Sequence, residues 1–419
     1  MADTRLSAAE ACDAILRDIA PLDTEMVPLR SALGRVLAED VRSPLALPPW
    51  DNSSMDGYAV RAVDVERATP ENPVALRVVE TIAAGARTSR VVGAGEAIRI
   101  MTGAPVPQGA DSVIRVEDTD AGDTNVRITS ARDAMRNVRP RGEDVSKGEV
   151  AVRRGTPLHA AHLGFLASIG RSAVRVHRRP RVAVMTSGDE LVDVDRFDEV
   201  LAGEKIVSSN SYVVAAAVRE AGGEPIALGT VRDDPVALRE CLAGSDGDLL
   251  ITTGGVSVGA FDHTRSVLND LGAEMRFWRV RIRPGAPLGF GLLRGRPWLG
   301  LPGNPVSAAV TFELFARPAI RKMLGHRDVF RRVIRVRLAE PITISAPLTH
   351  FLRAIVQRDG TELVARLTGP QGSGLLSSMA RANALLVIPP DVTTIAVGEP
   401  VDALLLHDDL EHTAEGPIS

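Results

Sequence analysis

Carboxylates and glycines gather in this chain directly after short apolar runs, where an open parallel sheet presents its loops to a ligand. Thr186-Ser187-Gly188-Asp189-Glu190 follows one such run and Asp233 a second. Thr253-Gly254-Gly255-Val256-Ser257-Val258-Gly259 follows a third and leads to Asp262-His263-Thr264. Glycines let backbone amides approach a phosphate, so Gly254, Gly255, Ser257 and Gly259 are candidate anion contacts. The loop is not a P-loop, because no Gly-Lys-Ser/Thr follows it. Asp233 and Asp262 read as Mg²⁺ ligands. Two carboxylates beside a phosphate repel by roughly 4 kcal/mol per close pair at an effective dielectric of about 20, which a bridging divalent cation relieves. A plainer account also fits, in which the glycines make turns and the acids decorate a surface. Asp234, before Pro235, reads as a helix N-cap rather than a catalyst.

The basic run Arg279-Val280-Arg281-Ile282-Arg283-Pro284-Gly285 alternates as a strand would. Alternation puts its three guanidinium groups on one face, and their forks match oxoanions. An exposed edge strand decorated with charge is the other account. Leu301-Pro302-Gly303-Asn304-Pro305-Val306-Ser307 opens a helix, with Asn304 as natural N-cap and Pro305 as first helical residue. Upstream, Asp51-Asn52-Ser53-Ser54-Met55-Asp56-Gly57-Tyr58-Ala59 mixes turn-formers with Met55 and Tyr58, and Asp56 is the acid to watch. Met101 to Asp111, dense in Gly and Pro, reads as a rigid loop after a strand.

These loops need a scaffold. Strands Arg181 to Met185, Pro225 to Leu228 and Asp248 to Thr252 alternate with helical patterns starting near Ser211 and Pro235, which predicts a parallel α/β sheet. A strand-like pair follows, Met275 to Ile282 and Pro287 to Leu293, then a helix from Val306 to about Leu324. Ser7 and Glu10 form the capping box of a first helix, ended by Pro21. The proline-rich stretch from Ser43 to Trp50 is a connector. From Asp51 to Asp144 short β runs such as Val74 to Val79, Ala97 to Met101 and Asp111 to Val116 predict an inserted β-rich lobe. After Arg331 the pattern is alternating β, a small terminal β domain. The expected units are 1–50 with 145–178, 51–144, 179–328 and 329–419.

The chain's 419 residues exceed one ordinary core, and its composition, 45% hydrophobic and 24% charged, is globular. A formal charge of −4 argues against a general nucleic-acid binder, and no apolar run suits a membrane span. Cys12 and Cys241 lack any zinc-type spacing. The start lacks the basic-then-apolar order of a signal peptide, so a cytoplasmic protein is expected.

Taken together, Asp51–Ala59, Met101–Asp111, Arg141-Gly142-Glu143-Asp144, Ser187–Leu191, Gly254–Gly259 and Leu301–Ser307 resemble the molybdopterin molybdenumtransferase family, which includes bacterial MoeA proteins and the gephyrin E domain. The resemblance runs in order from about residue 7 to 380. It implies an elongated subunit combining α/β and β-rich domains: a central parallel-sheet domain, an inserted β lobe and a C-terminal β-barrel-like domain. It also implies a homodimer whose active cleft lies between the α/β domain of one subunit and the β lobe of the other. The reaction implied is removal of AMP from adenylylated molybdopterin and insertion of molybdenum from molybdate, with Mg²⁺. By motif, the acids that matter are Asp56, Glu190, Asp233 and Asp262, with Thr102 on the lobe. Pro302 and Pro305 shape the loop before the last α/β helix, with Asn304 and Ser307 as substrate contacts, and Arg353 and Ser373 match positions linked to anion handling. Arg279 and Arg283 stand where the family usually has lysine, and Ala286 replaces a further lysine. The upstream adenylyltransferase and acceptor molybdoenzymes are the implied partners. Two rival functions are a molybdopterin adenylyltransferase, whose sheet and Gly-Gly-Val-Ser loop are shared, and a non-catalytic scaffold.

Overall fold

The computed structural model describes residues 5–254, 261–345 and 347–407. Gly255, Ser257, Gly259 and the side chain of Asp262 lie outside the described residues.

The central domain is a six-stranded sheet in the order Glu224–Val231, Arg181–Ser187, Leu249–Thr253, Arg296–Leu301, Gly289–Leu293, Glu274–Phe277. Its first four strands are parallel and its last two join antiparallel. Parallel strands are covered on both faces, and alternate side chains divide between the two layers. Val182, Val184, Leu249 and Ile251 pack with Val214, Val218, Val306 and Phe312 on the face covered by the Ser209–Glu220 helix and the helical run from Pro305. Ala183, Met185 and Leu250 pack with Leu238, Leu242, Val267 and Leu268 of the helices Pro235–Gly244 and Phe261–Asp270 on the other. This alternation carries through to the polar residues that end the strands, so it decides which side of the sheet each one serves.

The strand Arg296–Leu301 escaped the sequence pattern because Arg294 and Gly295 form a tight turn with positive φ and Pro297 interrupts the apolar run. Its pairing with Leu249–Thr253 delivers Pro302–Ser307 to the carboxyl ends of the parallel strands. The basic run also differs from expectation. Glu274–Phe277 ends before it, Val280 bridges to Leu6, and only Ile282–Arg283 is strand, so the arginines do not share one regular strand face.

Around this domain, Thr24–Pro28 pairs with Ala173–His177 and Val41–Arg42 with Val150–Val152, which ties the segments before and after the inserted lobe. The first helix, Ala8–Arg17, has its Ser7/Glu10 capping box. It packs Ala11, Cys12 and Ile15 into the central core with Phe312, Phe315 and Ile320, although a boundary at residue 50 places it with the first unit. The lobe is a five-stranded sheet with Gly57–Val60 and Glu96–Ile100 inside it. At Gly57 a Cβ would fall 2.0 Å from the Ile114 carbonyl oxygen, so glycine is required where Asp56 enters the sheet. The last sheet closes on itself through the pairing of Thr349–Asp359 with Ala384–Ile388, making a small barrel. Ile282–Arg283 adds to its Thr349–Asp359 strand. No helix among the described residues is long and apolar enough to cross a membrane.

Candidate functional site

A crevice of about 670 Å³ opens at the carboxyl ends of the parallel strands. Of the residues singled out from sequence, it collects Glu190, Asp233, Gly254, Pro302, Asn304, Pro305 and Ser307. Ser208, Ser209 and Asn210, which the sequence pattern left unmarked, line it as well, as do Ser187 and Thr253, which belong to the quoted strand-end runs without having been given a role there. The polar run Ser208-Ser209-Asn210 at a helix start was the available signal for three of these.

Gly254 holds φ +87°, and a Cβ there would sit 2.2 Å from the Ser187 carbonyl oxygen. Glycine thus lets two neighbouring strand ends converge into the floor of the crevice. Asp234 does cap its helix, accepting from the Ala237 amide at 2.9 Å, which leaves Asp233 free of that duty. Asn304 occupies an N-cap position but makes no side-chain cap bond, so its amide is available to the crevice, contrary to its expected capping role.

One flank is acidic. Burial raises the Asp233 pKa above the usual carboxylate value and the charges of Asp189 and Glu190 push it further, while the Ser187 hydroxyl and His263 oppose the rise. The Asp189 carboxylate accepts the Asp233 amide at 3.3 Å. A half-buried carboxylate crowded by two further acids is a donor set suited to a hard divalent cation, which prefers oxygen ligands. Among the described residues no group of three or more acidic, His or Cys side chains is preassembled to hold a metal.

A second pocket, about 370 Å³, lies in the barrel and takes in Arg283, His350, Arg353, Gln371 and Gly372. Arg353 is fully buried. Its Nε donates to Ser378 Oγ at 3.0 Å and its Nη2 to the Gly372 carbonyl at 3.0 Å, while Nη1 has no partner among the described residues. Burial lowers its pKa from the usual guanidinium value. Ser373 does not line this pocket but connects it to the crevice, because its carbonyl accepts the Val306 amide at 3.1 Å at the start of the Pro305 helix. Arg279 lines neither pocket.

On the lobe, Asp56 Oδ1 accepts both the Thr102 amide at 2.6 Å and the Thr102 hydroxyl at 2.7 Å. The amide bond first and the hydroxyl second hold the Asp56 pKa below the ordinary carboxylate value. The two residues therefore form one ionised, exposed unit, and within a single chain neither lines the crevice.

These features define a multidomain protein whose α/β domain presents a polar, acid-flanked crevice with a separate cationic pocket beside it. Three family models match in order: the MoeA N-terminal region (domain I and II) over residues 6–170, the probable molybdopterin binding domain over 183–322, and the MoeA C-terminal region (domain IV) over 335–406. Molybdopterin molybdenumtransferase 1 of Mycobacterium tuberculosis is 40% identical over 404 residues, covering 91% of this chain and 94% of that protein. The molybdopterin molybdenumtransferase of a Nostoc species is 39% identical over 391 residues, covering 92% and 89%. The crystal structure of the molybdopterin biosynthesis moeA protein of Pyrococcus horikoshii matches with a TM-score of 0.84 at 32% identity, covering 96% of this chain and 100% of that one. The chain belongs to the molybdopterin molybdenumtransferase family, a family of transferases of molybdenum cofactor biosynthesis.

Proposed function

We propose that this chain takes adenylylated molybdopterin and molybdate, releases AMP and delivers molybdenum to the pterin dithiolene. The observation that carries this reading is the crevice at the sheet's carboxyl edge, which Glu190 and Asp233 line together with Gly254, Pro302, Gly303, Asn304, Pro305 and Ser307. Asp233 and Asp262 would hold a Mg²⁺ ion, which when bound neutralises charge on the phosphate oxygens as AMP leaves. The crowding of Asp189, Glu190 and Asp233 supports that choice of ion. Backbone amides of the glycine loop beginning at Gly254 orient the adenylyl phosphate. Arg283, Arg353 and Ser373 dock molybdate. Arg353 offers the unpartnered Nη1 for an oxoanion, and its bond to Gly372 next to Ser373 relates the docking pocket to the helix that borders the crevice.

Asp56 and Thr102 act from the lobe of a second copy of the chain, so the working unit is a homodimer. The exposed, ionised Asp56 held by Thr102 supports a role in contact with a ligand carried elsewhere. The protein works in the cytoplasm, receiving substrate from the adenylyltransferase and passing product to acceptor molybdoenzymes.

The test supplies the purified protein with adenylylated molybdopterin, molybdate and Mg²⁺, and measures AMP together with reconstitution of a cofactor-free molybdoenzyme. Both are expected to appear. Activity with ATP and unmodified molybdopterin in their place would assign it to the adenylyltransferase class.

A further inference from the structure

Among the described residues, two buried side-chain oxygens of the crevice have no hydrogen-bond partner. Asn210 is 8% exposed and donates from Nδ2 to the Gly303 carbonyl at 2.7 Å, which fixes the orientation of its amide and leaves Oδ1 unpartnered. Thr253 is 1% exposed and its Oγ1 is also unpartnered. Both residues line the crevice. They belong to one wall: Thr253 continues the face of Leu249 and Ile251, covered by the helix that carries Asn210. Gly303, which accepts from Asn210, approaches Gly254, the residue after Thr253, closely enough that a Cβ on Gly303 would lie 3.4 Å from the Gly254 Cα.

This wall is uncharged, whereas Ser187, one residue along its strand from Thr186 and thus on the opposite face, turns to Asp233. The crevice therefore has an acidic flank and a neutral flank. A buried amide oxygen demands a donor. Phosphate and molybdate oxygens are acceptors in their ionised forms and cannot supply one, but a heterocycle with N–H groups on its edge can.

Resting on the transferase reading above, we propose that Asn210 Oδ1 and Thr253 Oγ1 hold the 2-amino and N3–H edge of the pterin ring. The ring then lies on the neutral flank while the phosphoanhydride lies on the acidic one. Pterin suits these atoms better than adenine on two counts. Its edge carries two adjacent donors, and the pterin is the part of the substrate retained through both AMP release and metal insertion, so a fixed buried contact to it serves both steps.

The test compares Asn210→Ala and Thr253→Val with the wild-type protein, using fluorescence titration with molybdopterin, inhibition by AMP and the kinetics of AMP release from adenylylated molybdopterin. Thr253→Val keeps the side-chain shape and removes only the hydroxyl, which guards against a folding artefact at Asn210. Asn210→Ala is expected to weaken molybdopterin binding about tenfold, the loss of one buried contact, and Thr253→Val about threefold, with KM rising more than kcat falls and AMP inhibition unmoved. Unchanged molybdopterin affinity in both variants would overturn the proposal. Equal weakening of AMP would overturn it too, by assigning the wall to adenine. Wild-type protein that binds molybdopterin through these residues yet releases no AMP sinks the transferase reading and leaves the ring contact standing.

Discussion

The crevice and the barrel pocket solve opposite electrostatic problems. At the crevice, burial and the nearby charges of Asp189 and Glu190 raise the Asp233 pKa, an arrangement that favours a bound cation. In the barrel, Arg353 is buried outright and its charge is shared among Ser378, Pro370 and Gly372, with one nitrogen to spare. Acids at strand ends add little to the fold, so they are free to serve a ligand. A buried guanidinium that ties a loop to a strand does both jobs, and the two cannot be separated by deleting it.

That contrast can be broken or sharpened by mutation. The largest effect is expected for Asp233→Asn, which should lower kcat for AMP release by on the order of 10²–10³, or about 3–4 kcal/mol, without shifting the thermal midpoint. A rate within a few-fold of wild type would mean the acidic flank has no chemical task. Next, Arg353→Met should destabilise the protein by about 3 kcal/mol in denaturant titration, because it removes the buried guanidinium's bonds to the Gly372 and Pro370 carbonyls and to the Ser378 hydroxyl. If stability held while molybdate dependence vanished, Arg353 would be a pure ligand group and the contrast would fail.

A smaller change is expected for Arg283→Ala. The residue is exposed at the barrel pocket, so stability should hold while the molybdate KM rises about tenfold, as loss of one oxoanion contact requires. Kinetics at varied molybdate would check it.

A further effect involves neither pocket but the joint between their domains. Burial first, then Arg321 and Arg317, lowers the His326 pKa from 6.5 to about 4. The unfolded chain binds a proton there more readily than the native one, so the stability that neutral His326 contributes is present above pH 6.5 and is lost as pH falls towards 4. His326→Gln should flatten that acid limb in unfolding curves measured across this range, and an unchanged limb would assign it to other groups.

Much of the central domain was legible because parallel strands announce themselves as apolar runs, and helix starts such as Asp234-Pro235 carry their own caps. The strand Arg296–Leu301 was not, since its identity depends on pairing with Leu249–Thr253 rather than on its own pattern. The basic run was misread for a related reason. Alternation of Arg279, Arg281 and Arg283 is a local signal, whereas the chain there is divided between a bridge to Leu6 and a barrel strand. Asn210 was overlooked, and Thr253 was given no role within its loop motif, because neither type is chemically conspicuous until burial without a partner makes it so.

The sequence by itself determined the family, the order of the domains and the loops rich in acids and glycine, because periodicity and motif spacing are properties of neighbours along the chain. Only the tertiary structure decided which side chains share a wall, that Arg353 is a buried clamp, and that the crevice has one charged and one neutral flank. Those facts depend on strand alternation and on contacts between distant segments, which set burial and hence the electrostatics.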